Sequence, residues 1–160
     1  METAQTALKH LTVMPWYVDW AWGLPEIALT MVIHAIGLLL ISEWVDRLQN
    51  AIVKRCGYPL MFVVVTGGAA ILAAALHGIE GVIWAVVYRL VGAVPDYPQA
   101  VLYSLGAMTT YGHATLVLQP GWQFLGALEA LNGMLLFGLT TAFLFVIIQK
   151  TQELQKRTRR

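Results

Sequence analysis

Apolar residues fill three stretches of the chain, residues 27–44, 60–88 and 124–148. Each can cross a ~30 Å hydrocarbon core at ~1.5 Å per residue of helix. A helix is the only spanning structure that satisfies its own backbone without closing a barrel. The pattern predicts an all-α membrane protein with three transmembrane helices. The second stretch is long enough to tilt or to project from the bilayer. Its Gly67, Gly68, Gly78 and Gly81 permit close helix approach. Residues 90–121 are too many for a tight turn and too apolar for a free loop. Pro95-Asp96-Tyr97-Pro98 is a helix start, with Asp96 as cap and Pro98 in the first turn. The apolar residues 99–108 after it suit a short re-entrant helix better than a span. That helix runs into Thr109, Thr110, Tyr111, Gly112, His113, Ala114 and Thr115. Non-helical backbone at membrane depth is tolerated only inside protein or beside water. A short helix, this segment and a return span make a pore loop between the second and third spans.

Composition agrees. Of 160 residues 58% are hydrophobic and 12% charged, and mean hydropathy is +0.66. A soluble domain carries about twice that charged fraction. Net charge of +1 gives no reason for a nucleic-acid partner. The single Cys56 excludes a disulfide framework and a cysteine zinc site. Arg47, Lys54 and Arg55 lie between the first two spans, and Lys150, Lys156, Arg157, Arg159 and Arg160 come after the third. The positive-inside rule puts both clusters in the cytoplasm and the N-terminus outside. The start of the chain lacks the basic and apolar regions of a cleaved signal. Residues 1–24 hold Trp16, Tyr17, Trp20 and Trp22, with Pro15 and Pro25 as expected breaks. They read as an interfacial segment, or as an aromatic-rich tail. Residues 25–57 then supply a transmembrane helix and cytoplasmic loop, 58–149 a pore module, and 150–160 a basic cytoplasmic tail that extends the last helix before fraying.

Part of the chain resembles a known family. The residues that carry the likeness are Tyr103-Ser104-Leu105, Thr109-Thr110, Gly112, Pro120-Gly121-Trp122 and Leu125-Gly126-Ala127-Leu128-Glu129-Ala130-Leu131-Asn132-Gly133. Together they resemble the pore module of bacterial two-transmembrane potassium channels, over residues 76–148 without gaps. His77-Gly78-Ile79-Glu80 with Trp84 is similar to the outer pore helix of some of these proteins. The resemblance implies a homotetrameric cation channel in a bacterial inner membrane. Four chains would close around an axis, with K+ or Na+ in the pore and no other cofactor. Glu129, Ser104 and Trp122 would support the filter from behind. The family filter reads Thr-Val-Gly-Tyr-Gly-Asp; here the aligned residues are Thr110-Tyr111-Gly112-His113-Ala114-Thr115. Ala114 resists the left-handed conformation a glycine allows, by roughly 1 kcal/mol. Thr115 removes a ring of negative charge, and His113 adds one that depends on pH. Potassium selectivity therefore does not carry over with the resemblance. Gly133 and Gly138 are candidate bend points of the last helix, or packing glycines.

Ionisable residues inside spans raise a functional question. His77 and Glu80 share a helical face at i and i+3. They form a proton, metal or pH-sensitive site, or a polar pair that locks helix packing. Glu129 supports the loop or attracts ions. His34 stands among apolar residues and is expected to be neutral and bonded across helices. Two alternatives to a channel stay open. One is a haem or redox protein with His34 and His77 as axial ligands, although these are expected at different depths. The other is a non-conducting structural subunit. No motif suggests enzyme chemistry, and no metal site is expected.

Overall fold

The computed structural model describes residues 16–52, 57–112 and 116–158. It contains four helices, α1 (Trp16–Ile52), α2 (Tyr58–Leu90), α3 (Tyr97–Met108) and α4 (Gln123–Thr158). The chain is an all-helical protein, and α1, α2 and α4 are each long and apolar enough to cross a membrane. At 37, 33 and 36 residues they exceed the ~20 that a bilayer core requires.

The first helix differs from expectation. It begins at Trp16 and runs through Pro25, so no break separates an aromatic segment from a span. Proline lacks an N–H and leaves the Ala21 carbonyl without its helical donor. The flanking residues still continue the helix. Trp16, Tyr17 and Trp22 are therefore exposed residues of the first turns of α1.

The chain divides into two compact units, Met1–Thr30 with Glu80–Met134, and Met31–Ile79 with Leu135–Arg160. In the first, α2 ends in a Schellman motif. Ala93 N–H donates to Tyr88 O and Gly92 N–H to Arg89 O, with Gly92 at φ +71. Arg89 Nη1 then donates to Val94 O at 2.7 Å, and its guanidinium lies 5.2 Å from the centre of the Tyr97 ring. The α3 cap is as the sequence predicts: Asp96 accepts from Gln99 N at 2.9 Å, with a proline in the first turn. α3 thus starts at Tyr97, directly after the expected cap. In the second unit, Leu38, Ile41 and Val45 of α1 and Met61, Val65, Ala69, Ala73 and Leu76 of α2 pack with Ile147 of α4. Gln49 Nε2 donates to Thr151 Oγ1 at 2.8 Å.

Candidate functional site

The C-terminal end of α3 leads into the segment of interest. Thr109 N–H donates to Leu105 O and Thr109 Oγ1 to the same carbonyl, which caps the last turn. Thr110 then sits at φ +57 and Gly112 at φ +69. A left-handed glycine is ordinary; a left-handed β-branched residue is strained by roughly 1–3 kcal/mol and needs surroundings that hold it. Gly112 N–H donates back to Gly106 O at 3.1 Å, which is one such restraint. Thr109, Thr110, Tyr111 and Gly112 are exposed, Tyr111 at 86%. His113, Ala114 and Thr115 lie outside the described residues.

Behind α3 is a buried polar network. Glu129 of α4 is fully buried. Tyr88 OH of α2 donates to its Oε2 at 2.5 Å, and Ser104 of α3 bonds its Oε1. Ser104 Oγ also lies 2.7 Å from Gly81 O of α2. One carboxyl group and one hydroxyl thus tie α2, α3 and α4 together, as buried polar groups require. The resemblance gives Glu129 and Ser104 a supporting role, and the structure brings these two together. Their partners are side chains and an α2 carbonyl rather than filter backbone. Trp122 is buried in the turn before α4, where its backbone N–H donates to Gln119 O.

Close packing completes this arrangement. A Cβ at Gly133 would overlap the backbone of Met108, the last residue of α3, and one at Gly126 would overlap Tyr103. Nothing lies within 4 Å of a Cβ at Gly138. Gly133 is therefore a contact glycine, and Gly138 has room around it. Sequence reasoning missed Tyr88, and also Thr30, whose hydroxyl accepts from Asn132 Nδ2 at 2.8 Å and donates to Glu26 O. Neither carries a local signal, because the partners of Tyr88 and Asn132 lie 41 and 102 residues away.

The second unit holds a different cluster. His34 of α1 and His77 of α2 are buried, with ring centroids 5.0 Å apart. Thr140 Oγ1 of α4 lies 3.0 Å from the Nε2 of each. The Phe137 ring stacks on His77 at 4.2 Å. The hydroxyl has one hydrogen and two lone pairs, so it can donate to at most one ring, and at least one ring donates its Nε2–H to it. The expected difference in depth is thus overturned: the two histidines meet. His34 is bonded across helices, as expected. His77 is bonded to Thr140 of α4, and Glu80 lies one turn later on α2, fully buried.

Comparisons with protein-family models, curated proteins and solved structures find no match to this chain.

Proposed function

We propose that the chain is one subunit of a homotetrameric pore-loop cation channel with an altered filter. The observation that carries this reading is α3 together with the segment at its C-terminal end. A helix of 12 residues is ~18 Å long, too short to cross a bilayer, yet it lies between two apolar helices that can. Its C-terminal end aims a negative partial charge at the segment beyond, which favours a cation there. That segment carries two left-handed residues, Thr110 and Gly112, which re-aim the peptides beside them. A backbone so turned can replace an ion's water shell with carbonyl oxygens. The network on Glu129 ties α3 to α2 and α4.

One pore loop cannot enclose a pore, and the exposed stretch 109–112 is what closed rotation of copies would cover. The resemblance supplies the number of copies, four, and the permeant ions, K+ or Na+. In this reading the N-terminus is outside, the C-terminus is cytoplasmic, and α4 lines the inner cavity.

The test is ion flux from purified protein in liposomes, with a bilayer reversal potential under potassium inside and sodium outside. The altered filter is expected to give a current reversing near zero. A second sample carries His113→Tyr, Ala114→Gly and Thr115→Asp together, and its reversal is expected to shift towards the potassium potential. An intact tetramer that passes no current would favour the structural subunit. A conducting triple variant with unchanged reversal would refute the filter alignment.

A further inference from the structure

We propose that His34 and His77, with Glu80 as third donor, form a site for a divalent transition-metal ion of the zinc class. The two Nε2 atoms converge on one point, the Thr140 hydroxyl, at 3.0 Å each. Convergence of two imidazole nitrogens from different helices is what a zinc-class ion selects, and a carboxylate is its usual third oxygen donor. Glu80 is a candidate by helix geometry alone, since i and i+3 residues of one unbroken helix share a face. All three side chains are buried, at 0% for His34, 7% for His77 and 0% for Glu80.

Charge argues the same way. A carboxylate in a membrane-spanning helix is costly, and a bound divalent ion offsets it. Two neutral imidazoles and one carboxylate leave the ion with a single net positive charge. Phe137, stacked on His77, fixes that ring's plane, as groups around a metal ligand commonly do. Both rings must present unprotonated nitrogens to the metal, so any Nε2 proton now donated to Thr140 must leave or move to Nδ1. Thr140 is then a placeholder: its hydroxyl holds the rings in register and gives way to the ion. The consequence is mechanical. The metal would clamp α1 to α2 and release Thr140 of α4 from both.

The site does not depend on ion conduction, so its test is a binding measurement. Full-length protein in nanodiscs is titrated with Co2+, read by the visible d–d absorption of a low-coordinate complex, then challenged with Zn2+. The expected result is saturation at one Co2+ per chain and loss of the bands as Zn2+ displaces it. His77→Gln keeps an amide to bond Thr140 but removes the metal donor; it should weaken binding at least ~10-fold while leaving thermal unfolding without metal nearly unchanged. His34→Gln should do the same, and Thr140→Val should retain binding. The other two histidines, His10 and His113, serve as controls. Monodisperse wild-type protein without saturable Co2+ binding would overturn the proposal. So would binding that survives both His34→Gln and His77→Gln but disappears with His10→Ala or His113→Ala.

Discussion

Glu129 places two oxygens against two hydroxyls, and hydrogen counting gives a prediction. Three acceptors, Glu129 Oε1, Glu129 Oε2 and Gly81 O, surround the hydroxyls of Tyr88 and Ser104. Two hydroxyl hydrogens cannot serve three acceptors one to one; an amide at position 129 can complete the set. Its oxygen accepts from Tyr88, its nitrogen donates to Ser104, and Ser104 donates to Gly81 O. Glu129→Gln should therefore leave thermal unfolding in detergent within a few degrees of wild type. Glu129→Ala leaves the Tyr88 hydroxyl buried without its acceptor and opens a cavity. The first term alone costs about 1–3 kcal/mol, so a clear fall in unfolding temperature is expected. If the two variants behave alike, the network does not hold α3. At this scale the sequence is partly legible. Glu129 and Ser104 stand out in it because the resemblance names them. Tyr88 does not, since only the folded arrangement brings its hydroxyl to position 129.

The elements are easier to read than their ends. Apolar run length is the signal for a span, and α1, α2 and α4 each contain such a run. Their polar and aromatic ends carry no such signal, yet the helical hydrogen-bond ladder simply continues through them. α1 thus takes in Asp19 and Glu26, both buried. The same effect misplaces the histidines. His34 lies eighteen residues before the end of α1 and His77 nineteen after the start of α2, so nearly equal steps from the intervening loop bring them level. α3 is legible because Asp96 and Pro98 write its start locally. Its far end makes a prediction about α4. Gly133 has no room for a methyl group against the Met108 backbone, and backbone cannot swing aside as a flexible side chain can. Gly133→Ala should push the end of α3, and with it residues 109–112, out of place; flux should fall by at least ~10-fold, or assembly should fail. Gly138→Ala meets open space and gains helix propensity, roughly 1 kcal/mol, so stability should hold or rise. Gel filtration of both variants in one detergent separates these outcomes. Equal loss in both would mean that α4 must bend at Gly138 as well.

At the scale of the whole molecule, the exposed apolar side chains need a partner. Leu39, Leu40, Ile71 and Phe145 are all more than half exposed in a single chain, and water is a poor solvent for such a surface. Lipid and further copies of the chain are the two surroundings that would cover it. In the proposed reading α1, α2 and α4 each span, which puts the two ends of the chain on opposite sides of the membrane, and the basic residues choose which. Eight of the ten Lys and Arg residues are Arg47 near the end of α1, Lys54 and Arg55 between α1 and α2, and five from Lys150 to Arg160, so the α1–α2 connection and the end of α4 should both face the cytoplasm. Cys56, the single cysteine, sits between α1 and α2 and reports this without any substitution. A membrane-impermeant maleimide should label it in inverted vesicles and leave it unlabelled in right-side-out vesicles until detergent is added. The reverse pattern would place the basic clusters outside, turn the 109–115 segment towards the cytoplasm, and with it invert the direction in which the proposed pore opens. Equal labelling from both sides would mean mixed insertion, which a charge bias this one-sided makes costly: moving the 54–55 pair alone across the membrane opposes a resting potential of 100 mV by about 2.3 kcal/mol per charge.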